Sequence, residues 1–432
     1  MNQIIVHPDA DELPIPTESR IPVHLYGRRP RYVGGGTVGG PVLNKLSRVQ
    51  SHLNRAAFDF LSLSLAVTAA DTFADRGRAP DGWAREIKLK VALTDPARWR
   101  PAIPILQRAL GFLSGDEWTL QFVRGGERPP VPRDRVQRKI ILDGCDSVCL
   151  YSGGLDSAIG VLDLRSQGRN PVLVSHAYRL DGSRQQELLA HLGPRVVRFA
   201  TSASPVASLG RGHDVQMRTR SLNFLAMGAL MAASLGPGRT TLFVPENGLI
   251  AINPPLTNRR IGALSTRTTH PYYLHQIQTV MDMVGIDVEL VNPYAQMTKG
   301  EMMTACASQP RLAAMASRTV SCGKWKRTGV QCGRCVPCLI RRASFHAAGW
   351  QDNTVYSPDA RNLLHFFQHS SGSDDLMAMM LATEALDDMD MGAWVAKAGP
   401  MPLTAVDRQA RLEAVHRGMM EVRDFLGSHH LV

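Results

Sequence analysis

Val148-Cys149-Leu150-Tyr151-Ser152-Gly153-Gly154-Leu155-Asp156-Ser157 is the stretch on which the 432-residue chain turns. It reads as a short apolar strand, a tight Gly-Gly turn and a helix from about Asp156 to Gly168. Two glycines let the backbone bend and come close to a ligand. The helix start offers unpaired N–H groups and the positive end of its dipole, a ready anion site. Ser152 and Ser157 add hydroxyls on either side. Asp156 can cap the helix or hold a magnesium ion beside bound phosphates. An ordinary turn with an Asp/Ser cap needs less than two Gly plus Ser-Asp-Ser. No Gly-Lys-Ser/Thr follows, so this is not a Walker A loop.

Around this stretch, strands and helices alternate. The pattern predicts strands at 147–151, 171–176, 195–199, 240–245 and 286–291, and helices at 156–168, 182–193, 217–235 and 270–285. Such alternation indicates an α/β fold, a doubly wound parallel sheet with helices on both faces. Ligands then bind beyond the carboxyl ends of the strands. Arg218-Thr219-Arg220-Ser221 opens the third helix. Two arginines there oppose the dipole, so either a bound anion resolves the conflict or both are solvated. Arg218 is the catalytic candidate. Pro245-Glu246-Asn247-Gly248 follows the fourth strand. Glu246 and Asn247 could read a heterocycle's donors and acceptors, or form an Asn-Gly turn. His270, in Ser265-Thr266-Arg267-Thr268-Thr269-His270-Pro271, is a substrate-contact candidate or a cap neighbour. Thr298-Lys299-Gly300-Glu301 matches a capping box. Lys299 again has the wrong sign for a helix start, which points to a phosphate or carboxylate partner and makes it the second catalytic candidate.

Four of the seven cysteines fall in Cys322-x9-Cys332-Gly333-Arg334-Cys335-Val336-Pro337-Cys338. Four thiolates suit a closed tetrahedral zinc site, expected to be structural; an iron–sulfur centre stays open. Cys145, Cys149 and Cys306 stand alone and suit buried or incidental roles.

Three regions follow from the patterning. Residues 1–140 read as an N-terminal α+β module: a loosely ordered first 45 residues with a flexible loop at Gly34–Gly40, a helix over 46–75, alternating strands at 86–91 and 118–122, and a helix over 99–113. A Pro/Arg-rich linker closes it. Residues 141–350 carry the motifs. Residues 351–432 read as an acidic helical tail, with Val415, Met419, Val422 and Leu426 as a core-facing stripe on its final helix. The net charge of +11 is uneven, since the tail holds 6 Lys+Arg against 12 Asp+Glu. The basic body suits nucleotide phosphates, but no basic helix interleaved with aromatics points to nucleic acid. The N-terminus lacks the pattern of a signal peptide, and the apolar run over 58–70 is too short and polar to span a bilayer. A cytoplasmic protein without membrane contact is expected.

The Ser152–Ser157 segment resembles the PP-loop of ATP pyrophosphatase-type enzymes. With Cys322, Cys332, Cys335, Cys338 and the following Leu339-Ile340-Arg341-Arg342, residues 145–350 look like QueC, the 7-cyano-7-deazaguanine synthase family. The resemblance implies ATP and Mg²⁺ bound through Ser152, Gly153, Gly154, Leu155, Asp156 and Ser157, and Zn²⁺ on the four cysteines. It implies adenylation of 7-carboxy-7-deazaguanine and attack by ammonia, giving an amide and then a nitrile. This chain departs from the family in its added N-terminal module and acidic tail and in its Glu-Asn-Gly and Thr-Thr-His-Pro stretches. The longer layout is similar to QatC of the Qat anti-phage systems and to QueC-like proteins of type IV CBASS. That resemblance implies a partner protein whose N-terminal amine receives the activated acid. An RNA-modifying PP-loop enzyme and a non-catalytic nucleotide-binding scaffold are the other readings. Intact Ser152, Asp156 and Ser157 argue against the scaffold.

Overall fold

The computed structural model describes residues 2–79, 81–177, 179–208, 218–258, 267–370 and 372–432. The expected helix start at 217, and Ser265 and Thr266, lie outside the described residues. The first unit runs β1 (Asn2–His7), β2 (Arg20–Leu25), β3 (Gly36–Val38), α1 (Gly40–Leu46), α2 (Arg55–Phe73), β4 (Glu86–Leu93), α3 (Pro96–Trp99), α4 (Ile103–Ser114) and β5 (Glu117–Arg124). Its strands pair in the order β5-β4-β1-β2-β3, all parallel. The first 45 residues are therefore built into a sheet, not loosely ordered. Gly36 sits inside β3, where a Cβ would meet the Phe73 ring at 2.5 Å. Glycine serves close packing here, not flexibility.

The second unit runs β6 (Ser147–Leu150), α5 (Leu155–Ser166), β7 (Pro171–His176), α6 (Arg179–Leu188), β8 (Arg198–Thr201), β9 (Val206–Ala207), α7 (Arg220–Ala232), β10 (Thr240–Phe243), α8 (Gly248–Ile252), α9 (Pro271–Met283) and β11 (Val288–Val291). Its sheet is parallel, in the order β11-β10-β6-β7-β8. β6 leads to β7 on one side and β10 lies on the other. The strand order thus reverses at β6/β10, the crevice where ligands bind in open α/β sheets. The strand ends shift by up to three residues from the sequence pattern, as short strands allow.

The two sheets share one core. β9 crosses over to pair antiparallel with β3. α2 is buried from Ala57 to Phe73 and packs on α7. Among the described residues it is the one helix long and apolar enough to cross a membrane, but 94% of that window is buried inside the molecule, which makes it a core helix. Asp71 on α2 accepts from the Thr219 amide and hydroxyl, both at 2.9 Å, and from Arg85 at 2.6 Å. Arg85 also binds Asp116 at 2.6 Å, so these buried charges are paired.

The remaining elements are helical: α10 (Lys299–Ala305), α11 (Gln309–Met315), α12 (Trp325–Thr328), α13 (Val336–Ala347), α14 (Leu363–His369), α15 (Asp374–Glu384), α16 (Met391–Ala396) and α17 (Ala405–Gly427). Val415, Met419, Val422 and Leu426 on α17 are fully buried. They join a second core with Val336, Leu339 and Ile340 of α13. α17 also packs on α8 through Gly418, whose missing Cβ leaves room for Leu249 at 3.1 Å.

Candidate active site

The turn after β6 carries two residues without side chains, Gly153 and Gly154. Gly153 adopts a positive φ of 82°, which glycine takes without strain. Gly154 caps α5 in an extended conformation, so Asp156 is not the cap. Ser152 Oγ accepts from the Gly154 amide at 3.2 Å and stands 3.2 Å from Ser157 Oγ. Ser157 donates to the Gly154 carbonyl at 3.0 Å. Gln185 on α6 holds the Ser152 carbonyl at 3.0 Å. Leu155 is buried behind the loop. Gly160 lets α5 lie against the β10 loop, since a Cβ there would meet Pro245 at 2.5 Å.

Asp156 points across the crevice. One carboxylate oxygen pairs with Lys299 Nζ. The other accepts from the Asn247 amide at 3.0 Å and from Asn247 Nδ2 at 2.6 Å. Burial pushes the Asp156 carboxyl up, but Lys299, then Glu246 and Asn247, outweigh it and hold the group at about 2. Glu246 moves the other way. Burial, and then the adjacent Asp156 charge, raise it well above the usual glutamate range. Two close carboxyls of which one keeps its proton are the expected result. Lys299 at the first position of α10 thus has the carboxylate partner its unfavourable dipole position implied, and the Thr298/Glu301 capping box forms around it.

Two clefts open on this group. One, of ≈ 460 Å³, is lined by Ser152, Gly154, Leu155, Asp156, Ser157, Glu246, Lys299 and Lys324, with Asp375 of α15 at its wall. The other, of ≈ 430 Å³, has an apolar wall of Leu150, Phe224, Leu225 and Val244 and polar groups from Arg220, Ser221, Glu246, Thr268 and Thr269. Ser152, Ser157, Glu246, Thr268 and Ser321 line both. A smaller recess of ≈ 160 Å³ beside Gly153 holds His176, Arg184 and Trp325.

Three sequence candidates stand elsewhere or act differently. Arg218 is turned away, stacked 3.9 Å over Trp83 and donating to the Ser114 carbonyl at 2.8 Å. Arg220, first residue of α7, lines the apolar-walled cleft and the smaller recess instead. Asn247 lines neither cleft; it caps α8 at Ile250 N, 3.1 Å away, and orients Asp156. His270 is fully buried, caps α9 at Tyr272 N and lies 5.1 Å from Phe112. Burial, helped by Arg267 and Arg411, lowers it to about 3, so it stays neutral. Sequence reasoning missed Arg220 as the cleft arginine and missed Thr268, Ser321 and Lys324. Arg220 was legible as one of two arginines, but only the point where the helix begins decides between them. Lys324 follows Cys322 by two residues, the one signal that could have flagged it.

Cys322, Cys332, Cys335 and Cys338 come together with their sulfurs within 4.8 Å of one another. Cys332–Cys338 and Cys335–Cys322 measure 4.0 and 3.9 Å. Tetrahedral Zn–S bonds of about 2.3 Å place sulfurs about 3.8 Å apart, so the set fits one zinc ion. An iron–sulfur cube would hold its thiolates farther apart. Amides of Cys332 and Cys335 donate to the sulfurs of Cys322 and Cys332, each at 3.3 Å. Cys335 caps α13 and also lines the larger cleft, so the clip forms part of its wall.

A parallel sheet with its Ser-Gly-Gly-Leu-Asp-Ser turn at the switch point places this chain among the PP-loop α/β proteins. The family model for the queuosine biosynthesis protein QueC matches residues 269–349. The 7-cyano-7-deazaguanine synthases of Cupriavidus taiwanensis and Ralstonia nicotianae are each 30% identical to it, over 234 and 233 residues, covering 98% of each relative. That of Cupriavidus pinatubonensis is 29% identical over 230 residues, 49% of this chain and 97% of the relative. The chain belongs to the QueC family. About half of it has no counterpart in these relatives. No solved structure matches it.

Proposed function

We propose that the protein is an ATP-dependent, AMP-forming C–N ligase acting on a 7-carboxy-7-deazaguanine-type acid. The observation that carries this reading is the pair of clefts meeting at one polar wall of Ser152, Ser157, Glu246, Thr268 and Ser321. Two ligands bound there would present their reacting groups to each other. The cleft beside Lys299 and Lys324 suits a triphosphate; the one walled by Phe224 and Val244 suits a planar heterocycle with hydrogen-bonding edges.

The loop amides and the start of α5 would hold pyrophosphate, with Ser152 and Ser157 as donors. The acid's carboxylate attacks the α-phosphate, pyrophosphate leaves, and an amine then displaces AMP from the acyl group. Lys299 and Arg220 supply fixed positive charge where negative charge develops. Both oxygens of Asp156 are engaged, so Mg²⁺ would come with the phosphates, and Glu246, on the same cleft wall, could join it only by giving up the proton that burial and Asp156 favour. ATP-dependent pyrophosphate release that requires the acid is the expected result. Release that ignores the acid, or none at all, would overturn the reading.

For the amine we favour the N-terminus of a partner protein, in an anti-phage setting, over ammonia. The support is the half of the chain beyond the relatives' span, with Asp375 of the tail reaching the cleft. Ammonia is the alternative that the synthase relatives' names favour. Intact-mass spectrometry of the products and of proteins encoded nearby separates the two. Free nitrile with no protein adduct would leave the plain synthase.

A further inference from the structure

We infer that Glu421 on α17 is a positioning residue that sets Lys299 in the site through the first turn of α10. The inference rests on the reading of Lys299 as the cation at the reacting phosphate. α17 begins at Ala405, beyond the family match that ends at residue 349. Glu421 accepts from the Thr298 hydroxyl with one oxygen and from the Gly300 amide, at 3.2 Å, with the other. These residues flank Lys299 on both sides. Arg417, one turn earlier, binds Glu301 at 2.6 Å and the Gln296 carbonyl at 3.0 Å. The fit is close, since a Cβ on Gly300 would meet Glu421 Oε1 at 2.5 Å.

The electrostatics give the contact its purpose. The first-turn amides of α10 repel an ammonium group held at the same helix end. Glu301 in the capping box offsets part of this. Glu421 adds a second acceptor, supplied by another element. It answers the Gly300 amide that the box leaves over. The groups facing it are Lys299 and Glu301 on α10 and Arg417 on α17 itself. α17 also packs on α8, whose capping Asn247 holds the other oxygen of Asp156. One helix therefore braces both partners of Asp156.

The test is site-resolved lysine acetylation of the full-length protein by an N-hydroxysuccinimidyl acetate, read by mass spectrometry. Lys299 is only 6% exposed and should label slowly. In Glu421→Ala it should label about tenfold faster, the scale of one lost charge-assisted hydrogen bond, while Lys88 and Lys397 keep their rates. Pyrophosphate release should lose kcat with little change in the KM for ATP. Unchanged labelling at Lys299 in a folded variant overturns the proposal. So does a uniform rise at all lysines, the mark of general loosening. If Glu421→Ala does not fold, Glu421→Gln and Gly300→Ala decide by the same readout. Labelling needs no substrate, so a failure of the ligase reading would show separately, as absent pyrophosphate release with the labelling shift intact.

Discussion

Asp156 is held between opposite pulls, and its neighbours set what its loss would do. Burial opposes its charge; Lys299, Glu246 and Asn247 favour it. Asp156→Ala should leave the fold intact but lower pyrophosphate release by about 10²–10³-fold, the scale of lost preorganised electrostatics. Normal release by a folded Asp156→Ala protein would remove the site. Lys299→Met should be worse for stability, by about 3–5 kcal/mol in denaturant titration, because it strands a buried carboxylate. Glu421 offers a pH readout. Burial first, and Glu301 beside it, push it up to about 7 against the pull of Thr298, Gly300 and Lys299. A raised folded pKa means its contribution to stability is full below the ordinary glutamate value and is lost as pH rises through about 7. Glu421→Gln should flatten the fall in melting temperature between about pH 5 and pH 8, and an identical slope in both proteins would exclude the group. Lys299 was legible in the sequence because a lysine at a helix start demands a partner. Arg218 was not separable from Arg220, because the helix begins between them: Thr219 is the cap, Arg220 opens α7 and Arg218 lies outside it. His270 followed its cap alternative, since its ring nitrogen satisfies the α9 terminus.

Among the elements, the clip and α13 stand or fall together. Cys335 caps the helix and Cys338 lies in its first turn. Buried Arg341, one turn on, ties it to the Ala316 carbonyl at 2.5 Å and to Thr319 Oγ1 at 2.7 Å. Purified protein should hold one zinc per chain and be colourless. Absorbance near about 400 nm would instead favour iron. Cys335→Ser, or treatment with a strong chelator, should lower the melting temperature, because a structural metal on four thiolates would be coupled to folding of the clip. An unchanged transition in metal-free protein would make the clip incidental. The clip was legible from spacing alone, as was the alternation around β6. β1 and β2 were not, because Asn2–His7 does not alternate and Arg20–Leu25 carries Pro22, which argues against a strand flanked on both sides. The Gly34–Gly40 run misled for a physical reason: glycine where Phe73 and Leu65 press against the backbone looks, in sequence, like glycine for freedom.

At the scale of the whole molecule, residues 1–125 are a wall of the fold. The principal core runs without a break from Ile4 and Val23 to Leu225, Leu242 and Val288. β9 gives the second unit's backbone to the first unit's sheet. Deleting residues 1–125 should therefore yield insoluble or molten protein, not an adenylating core. A soluble fragment with a cooperative melting transition would contradict the shared core. This connection was invisible in the sequence. Two residues of β9 carry no readable pattern, and the apolar face of α2 looks the same whatever sheet it covers. The acidic tail does fold back on the body, through Arg417–Glu301 and the buried stripe of α17. Its net charge gave no hint that a basic residue of the tail would make that contact.

Because α17 lies more than a hundred residues after Lys299 in the chain, the site has an order of birth. The phosphate loop, the clip and Lys299 all leave the ribosome before Glu421 does. A chain stopped by a premature codon or clipped between α16 and α17 would carry every motif of the family and still lack the brace. Such products also lose the buried stripe of α17, so they should melt at lower temperature than the full chain and release no pyrophosphate. The site is therefore fully braced only once α17 has been made and packed against α10.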